Sequence, residues 1–185
     1  MIYFTSDLHL GHLTVLKDRP QFETIEELNE TLIKNINSTI TKKDTLYILG
    51  DLSNRVSEEY ANDLISKIKG NKILIRGNHD REYDPALFEE ITDYKEIKYN
   101  KKIYILCHYP FICWKRMRFG SINLHGHIHS NPAYNERNHQ IGRLQYDVGV
   151  DANNFRPVSI EEVERWADSS PWQEYREREH HTERQ

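Results

Sequence analysis

The most informative segment for predicting the fold is Lys72-Ile73-Leu74-Ile75-Arg76-Gly77-Asn78-His79-Asp80. It starts as a short apolar run, which is typical of a buried β-strand. It ends in a turn, because Gly and Asn both accept left-handed backbone angles, and the turn carries residue types that bind metal ions. A strand that runs directly into such residues is typical of an α/β sheet, in which functional groups gather at the carboxyl ends of the strands.

The same arrangement recurs along the chain, where predicted strands end in residues of metal-binding type. These strands are Ile2–Thr5 before Asp7 and His9, Thr45–Leu49 before Gly50-Asp51, Lys102–Cys107 before His108, and Ser121–Leu124 before His125-Gly126-His127-Ile128-His129. A further strand is predicted over Leu144–Val150. Because loops at one edge of a sheet project into a shared crevice, we expect these polar residues to converge.

Amphipathic stretches separate several of these strands and predict helices. Thr24-Ile25-Glu26-Glu27 has the form of a capping box and opens the first helix. Further helices are predicted over 57–69 and 85–91, and a second capping box at Ser159-Ile160-Glu161-Glu162 opens the last one. The alternation of strands and helices predicts the α/β fold class.

Length and composition indicate one globular domain. The chain has 185 residues, of which 37% are hydrophobic and 29% are charged, so it can bury a core. We predict a single domain over residues 1–168, followed by a charged, flexible tail over 169–185. The formal net charge of −4 argues against a general electrostatic grip on nucleic acid or an anionic membrane, because such binding depends on positive surface.

The sequence shows no secretion or membrane signal. The N-terminus enters a strand without a basic segment or a long apolar one, and no apolar run approaches the roughly 20 residues that span a bilayer. Cys107 and Cys113 are the only cysteines, and we predict that both are reduced packing thiols. The expected location is therefore the cytoplasm.

The residue types at the strand ends suit divalent metal ions. Carboxylate, imidazole and amide oxygen favour Mn, Fe, Ni or Zn, and the lack of a cysteine cluster argues against a thiolate site. One Asp carboxylate can bridge two ions about 3.5–4 Å apart. Two such ions clamp a phosphate and lower the pKa of a shared water molecule, which supplies hydroxide near neutral pH.

Each fragment alone has an ordinary explanation as a surface hydrogen-bonding pair, a tight turn or a satisfied core histidine. The five fragments, in chain order, are Asp7-Leu8-His9, Gly50-Asp51, Gly77-Asn78-His79-Asp80, Cys107-His108 and Gly126-His127-Ile128-His129. Turn chemistry does not account for all five at strand ends. The series resembles the calcineurin-like metallophosphoesterase superfamily, and it covers nearly all the chain from residue 2 to about residue 155.

The resemblance implies two packed mixed β-sheets flanked by helices, a four-layer αββα sandwich with two divalent metal ions over the strand ends. The matched positions that would bind the first metal ion are Asp7, His9, Asp51 and His129. Those that would bind the second are Asp51, Asn78, His108 and His127, so that Asp51 bridges the pair. Manganese is the expected metal, with iron, nickel or zinc as alternatives.

His79 is a candidate for a catalytic role. By resemblance its side chain points at the substrate rather than at the metal ions, where a protonated imidazole gives its proton to the leaving oxygen. Expelling an alkoxide near pH 7 requires a general acid, and imidazole titrates in that range. Asp80 is predicted to orient the His79 ring and to keep it protonated.

Four more residues beside these fragments are candidates for the site. His12 and His125 flank ligand positions and would support them, or they are simple hydrogen-bonding residues near the site. Arg81 and Arg116 are predicted to contact phosphate, because a guanidinium binds it bidentately. The alternative for these cations is a solvated basic loop.

We therefore expect a metal-dependent phosphoric ester hydrolase that cleaves a small or nucleotide-derived phosphodiester. A phosphomonoesterase is the closest alternative, because the same metal ions and hydroxide attack either ester. A nuclease is disfavoured by the negative charge and short loops, and a non-catalytic scaffold by the complete ligand set. The expected partner is a small phosphoester, nucleotides included, without a membrane and without duplex nucleic acid.

Overall fold

Five strands form the first β-sheet in the computed structural model of this protein, which describes residues 1–175. They are β1 (Ile2–Thr5), β2 (Thr45–Ile48), β3 (Asn71–Ile75), β4 (Glu90–Thr92) and β9 (Val158–Ser159). Their order is β4-β3-β2-β1-β9, and every neighbouring pair is parallel except β1 with β9. The carboxyl ends of β1, β2 and β3 therefore lie at one edge.

Four strands form the second sheet. They are β5 (Lys95–Tyr99), β6 (Lys102–Leu106), β7 (Ile122–His125) and β8 (Gln145–Asp147). The order is β5-β6-β7-β8, with β5 and β6 antiparallel and the other pairs parallel. The two mixed sheets, accompanied by helices, confirm the predicted fold class.

The α-helices are α1 (Ile25–Thr39), α2 (Glu58–Ser66), α3 (Pro132–Ile141) and α4 (Ile160–Asp168). The capping box at α4 is complete, because Ser159 Oγ accepts from the Glu162 amide at 3.2 Å and the Glu162 carboxylate accepts from the Ser159 amide at 2.8 Å. The box predicted at α1 is only half formed. Thr24 Oγ1 accepts from the Glu27 amide, but the Glu27 carboxylate accepts from the Glu23 amide instead.

The core has two parts, one on each face of the first sheet. Side chains alternate between the two faces of a strand, so Leu46 and Ile48 pack with α1 and α2. Tyr47 and Leu49 point the other way and pack with residues of the second sheet and of α4. Because both sheets contribute to this second cluster, they pack face to face, and the strand ends of both reach the same region.

Two local predictions were wrong, and some elements were not predicted. The helix predicted over 85–91 is one 3₁₀ turn at Pro85–Leu87, because the Glu89 amide bonds to the Lys72 carbonyl at 2.8 Å and draws the chain into β4. Neither β5 nor α3 was predicted. The strand predicted over Leu144–Val150 is only β8, followed by a 3₁₀ helix at Val150–Asn153.

The chain packs beyond the predicted boundary at residue 168. Trp172 lies against the second core cluster, within a helical segment at 172–175. The rest of the predicted tail, 176–185, lies outside the described residues. Both cysteines are free thiols, but only Cys107 is buried, so the prediction of a packing role was wrong for Cys113. Within residues 1–175, no helix is long and apolar enough to cross a membrane.

Candidate metal centre

The strand ends of the two sheets meet as the sequence predicts. Ser6, which follows β1, pairs with Gly149, which follows β8 in the other sheet. Beyond the end of β1, the amides of Asp7 and His9 donate to the carbonyls of Gly50 and Asp51 at 3.1 and 2.9 Å. The loops after β1, β2 and β8 are therefore held together by backbone hydrogen bonds, before any ligand is considered.

Five of the seven predicted metal ligands have left-handed backbone conformations. Their φ angles are 57° for Asp7, 50° for His9, 51° for Asp51, 73° for His127 and 44° for His129. This conformation costs a non-glycine residue about 1–2 kcal/mol. Such strain persists only where the surrounding structure imposes it, and its concentration on these residues indicates that the backbone is bent to direct their side chains inward.

Two glycines permit this convergence by their lack of a side chain. A Cβ on Gly126 would collide with Ser6 Oγ and with the Asp7 carboxylate, and a Cβ on Gly77 would collide with the Asp51 carboxylate. Neither glycine has a positive φ, so the requirement is close approach rather than conformational freedom. The glycines in the Gly77-Asn78 and Gly126-His127 fragments are therefore part of the packing of the site.

The Asp51 carboxylate lies at the middle of the cluster. Its Oδ2 is 3.6 Å from His9 Nε2 and also 3.6 Å from His108 Nε2. Its Oδ1 accepts a hydrogen bond from the His79 amide at 2.9 Å, which fixes the rotation of the carboxylate. One oxygen thus faces imidazoles that come from opposite sheets.

His108 and Asn78 face each other as two electron-pair donors. His108 Nδ1 lies 2.8 Å from the Leu49 carbonyl, which can only accept, so Nδ1 carries the proton and a neutral ring leaves a lone pair on Nε2. That Nε2 is 3.0 Å from Asn78 Oδ1, which also presents a lone pair. Two acceptors at this separation fit ligands of one cation.

His9 and His129 make the second close pair, with 3.0 Å between their Nε2 atoms. His129 Nδ1 donates to Asp151 Oδ2 at 2.9 Å, so its Nε2 is again turned into the site. Burial lowers the pKa of His9 to about 2, which keeps this ring in the neutral form that binds metal ions. The hydrogen bond that His129 donates to Asp151 raises the pKa of His129.

The buried carboxylates of Asp7 and Asp51 have no Lys or Arg partner within residues 1–175. Burial raises the pKa of Asp7 to about 7, although the nearby His129 acts in the opposite direction. Both oxygens of Asp7 accept from the His127 amide, at 3.1 and 3.0 Å. Because buried carboxylates are normally paired with a cation or bound to a metal ion, the set of donors fits divalent metal binding.

These atoms form two overlapping groups, within each of which all ligand atoms lie within 4.8 Å of one another. One group is Asp7, His9 and His129, and the other is Asp7, Asp51 and His108. The His127 imidazole belongs to neither. Its ring packs against Tyr109 and His108, with centroid distances of 4.7 and 5.0 Å. The structure therefore brings six of the seven predicted ligands together and places the seventh ring beside them.

His79 lies at the open side of the cluster. Its side chain is 44% exposed, and its Nε2 is 4.0 Å from Asp51 Oδ2. Asp80 does not orient this ring, so that prediction was wrong. The Asp80 carboxylate accepts from the amides of Asp51, Leu52 and Gly77 and from the Tyr83 hydroxyl, at 2.8–2.9 Å. Asp80 therefore holds the loops after β2 and β3 together.

The remaining predicted residues have different positions. The His12 ring is 5.5 Å from that of His9, and buried His125 is 3.2 Å from the Tyr134 hydroxyl. Arg81 is exposed and directly follows Asp80 in the sequence. Arg116 is not brought to the cluster. Its carbonyl accepts from the amide that immediately precedes β7, at the end of that strand opposite the metal-binding loop, and its guanidinium lies over the Phe119 ring.

Asp151 and Arg19, which were not predicted, support His129. Arg19 is 1% exposed and binds the Asp151 carboxylate through two nitrogens, each at 2.8 Å. Arg19 also donates to the carbonyls of Asp7 and Leu8. Although burial opposes ionisation, the hydrogen bonds from His129 and Arg19 lower the pKa of Asp151 to about 2. Asp151 follows the apolar run that ends at Val150, so the strand-end pattern could have found it.

The fold and the site together define an α/β protein with a cluster of candidate metal ligands at the carboxyl ends of its strands. The model of the calcineurin-like phosphoesterases matches residues 1–182. The chain belongs to the calcineurin-like phosphoesterase family, which supports a phosphoester hydrolase that uses divalent metal ions.

Similar proteins cover almost the whole chain. An uncharacterised protein of Methanocaldococcus jannaschii is 34% identical over 86% of this chain and 87% of its own length. The gene 66 protein of Mycobacterium phage L5 is 31% identical, over 87% of this chain and 91% of the phage protein. A solved structure from Aquifex aeolicus, of a protein of unknown function, has a TM-score of 0.69 and 26% identity and covers 89% of this chain and 98% of its own.

Proposed function

We propose that this protein is a phosphodiesterase that hydrolyses a small, nucleotide-derived phosphodiester with two divalent metal ions. The observation that carries the proposal is the position of Asp51 Oδ2, at 3.6 Å from both His9 Nε2 and His108 Nε2. Ligands of a shared ion stand about 3–3.5 Å apart, so one carboxylate between two imidazoles suits a bridge between two ions.

The ligand sets follow from this bridge. Asp7, His9, Asp51 and His129 would hold one ion, and Asp51, Asn78, His108 and His127 would hold the other. Manganese is our first choice, with iron, nickel or zinc as alternatives, because oxygen and imidazole donors accept all of these. When bound, the ions neutralise phosphate charge and lower the pKa of water, which supplies the nucleophile.

The protein side chains have separate tasks. His79 is exposed, and it is placed at the open side, so its imidazole can give a proton to the leaving oxygen of the substrate. The hydrogen bond from the His79 amide to Asp51 Oδ1 keeps that residue beside the bridging carboxylate. Asp80 has a positioning role, because its hydrogen bonds hold the loop that carries His79 against the loop that carries Asp51.

A hydrolysis screen tests the proposal, with manganese and with cyclic nucleotides, dinucleotides, short oligonucleotides and phosphomonoesters as substrates. We expect diesters to be cleaved faster than monoesters. Asp51→Asn should lose both metal ions and activity. If monoesters are cleaved faster, the enzyme is a phosphomonoesterase, and if no ester is cleaved, the proposed function is wrong.

His79→Ala tests the division of labour between metal binding and proton transfer. The variant should keep its metal ions and should slow esters with poor leaving groups by about 10²-fold or more, but activated p-nitrophenyl esters by much less. The metal content of the variant is measured alongside its rates. Loss of the metal ions in this variant would contradict the assigned role.

A further inference from the structure

A cavity of about 540 Å³ lies beside the metal centre. It is formed by α2 and by the loops that follow β2 and β3, which also carry Asp51 and Asn78. Residues that line it include Ser53, Asn54, Arg55, Arg81, Glu82 and Tyr83. Small-molecule sites have volumes of roughly 300–1,000 Å³, so this cavity is large enough for a nucleotide.

The wall of the cavity is connected to the proposed bridging carboxylate. The Tyr83 hydroxyl accepts from the Ser53 amide at 3.2 Å and donates to the Asp80 carboxylate at 2.8 Å. The other Asp80 oxygen accepts from the Asp51 amide at 2.9 Å. A continuous chain of hydrogen bonds therefore runs from the wall to the centre and holds the two at a fixed separation.

The opposite rim of the cavity reaches the side of the centre that carries His9. Asn54 is buried, and its Nδ2 is 3.5 Å from His12 Nδ1. The His12 ring is in turn 5.5 Å from that of His9, and the His9 ring is 5.6 Å from that of His79. The cavity is thus connected to the His9 side of the centre through His12.

Two arginines at this cavity have no hydrogen-bond or ion-pair partner within residues 1–175. Arg55 and Arg81 are exposed, and neither forms an ion pair or a hydrogen bond with any residue of the described part of the chain. Glu58 and Glu82 also line the cavity, but neither is within ion-pair distance of these guanidinium groups. The guanidinium groups are therefore free to bind an anion, and the carboxylates are free to accept hydrogen bonds from polar groups.

Arg55 is also strained. Its φ is 55°, in the left-handed region, and it is neither Gly nor Asn. No hydrogen bond or ion pair of its side chain within residues 1–175 compensates for this cost. Residues held in such conformations concentrate at ligand-binding sites, where the strain directs a side chain toward the ligand. This observation is independent of the charge of the cavity.

We propose that this cavity binds a phosphate-bearing nucleotide in the leaving group of the substrate, with the phosphate on Arg55 and Arg81. This inference rests on the proposed function and narrows it to phosphodiesters whose leaving group carries a further phosphate. Hydroxide derived from water forms the new P–O bond, the P–O bond to the leaving group breaks, and His79 gives its proton to the departing oxygen. Asn54, Glu58 and Glu82 accept hydrogen bonds from the sugar or base, and Asn54 also donates.

Another cavity, of about 560 Å³, does not serve this purpose. It is lined by Trp114, Arg116, Phe119 and Trp172 among others, and it lies where the chain enters β7, away from the metal-binding loop at the other end of that strand. Arg116 nevertheless provides a matched control, because it is an exposed arginine with a φ of 61°.

Binding of adenosine 5′-monophosphate to the full chain in EDTA, followed by calorimetry, tests the arginine pair without metal ions. We expect the wild type and Arg116→Gln to bind it equally, and the double variant Arg55→Gln, Arg81→Gln to bind at least about tenfold more weakly. Equal affinity in the double variant, or no binding by the wild type, would overturn the inference.

Kinetics with manganese separate this inference from the proposed function. The double variant should raise KM for a 5′-phosphorylated dinucleotide about tenfold, with little change in kcat, and should affect the hydrolysis of bis-p-nitrophenyl phosphate, which carries no second phosphate, much less. If the double variant cleaves each substrate as fast as the wild type does, the inference about the nucleotide-binding cavity fails and the proposed function stands. If the wild type cleaves neither, the proposed function fails, and the binding measurement still decides whether the cavity holds a nucleotide.

Discussion

At the scale of single residues, two imidazoles of the site have a second ring nitrogen that is already occupied by a hydrogen bond. His108 Nδ1 is fixed by the Leu49 carbonyl, and His129 Nδ1 is fixed by Asp151. These hydrogen bonds fix the tautomer of each imidazole and direct its Nε2 toward the other candidate ligands. Metal binding therefore depends on residues that do not touch the metal ions.

Substituting Asp151 by Asn tests this dependence. The variant should bind manganese 10–100-fold more weakly, because His129 loses the carboxylate that fixes its tautomer and raises its basicity. It should also melt at a lower temperature, because Arg19 is buried and would lose its anionic partner. Calorimetric titration below the melting temperature gives the affinity. Asp63→Asn, at an exposed position, is the control, and equal affinities in the two variants would contradict this role.

Asp7 predicts how stability depends on pH when metal ions are removed. Burial raises its pKa to about 7, above the value of 3.8 expected in the unfolded chain. The folded state therefore binds this proton more tightly, and ionisation of Asp7 destabilises the fold progressively as the pH rises from about 4 to about 7. Asp7→Asn does not ionise, so in EDTA at pH 7 it should be more stable than the wild type by on the order of 1 kcal/mol or more.

Urea unfolding of the two proteins at pH 4 and pH 7 measures the effect. The stability difference should be larger at pH 7, and Asp63→Asn should show no such trend. A difference that does not change with pH would show that Asp7 is not held as a strained carboxylate in the metal-free protein.

At the scale of elements, predictions succeeded where a segment buries an apolar face and failed where it does not. β5 has the sequence Lys-Glu-Ile-Lys-Tyr and lies at the edge of its sheet. Because edge strands often carry charged residues, this sequence does not have the apolar pattern that predicts a buried strand. The buried residues of α3 are Asn135 and Asn138, whose amides donate to backbone carbonyls of β8. Hydrophobic periodicity cannot find a helix that is held by hydrogen bonds, although its Asn131 cap and Pro132 were visible in the sequence.

In the candidate site, too, some residues could be predicted from the sequence and others could not. Seven metal ligands could be proposed because each follows a strand, and the strand order places these strand ends at one edge. The task of Asp80 could not be predicted, because its bonds to the loop after β2 depend on how two strands that are distant in sequence are packed. For the same reason, Arg19 gave no signal, since its partner Asp151 is 132 residues away.

The turn between β5 and β6 offers a test at this scale. Asn100 and Lys101 both have positive φ, 46° and 66°, as a two-residue hairpin turn of type I′ requires. Lys101→Gly removes the cost of the left-handed conformation, so we expect it to raise the free energy of unfolding by about 0.5–1 kcal/mol. Denaturant unfolding measures the change. Lower stability in the variant would contradict this description of the turn.

At the scale of the whole molecule, two sheets are packed so that their strand ends share one cluster of ligands. The isolated bridge from Ser6 to Gly149 joins the sheets at this edge, and the core between them is built from both. The metal ions would therefore bind across the junction of the sheets. A ligand that binds only the folded state stabilises it, so added manganese should raise the melting temperature.

A crystal structure with manganese, in which anomalous scattering locates the ions, tests most directly whether Asp51 bridges two metal ions. We predict two ions about 3.5–4 Å apart, with Asp51 as the one carboxylate bound to both. A single ion, or two ions of which Asp51 touches only one, would contradict the proposed two-metal centre.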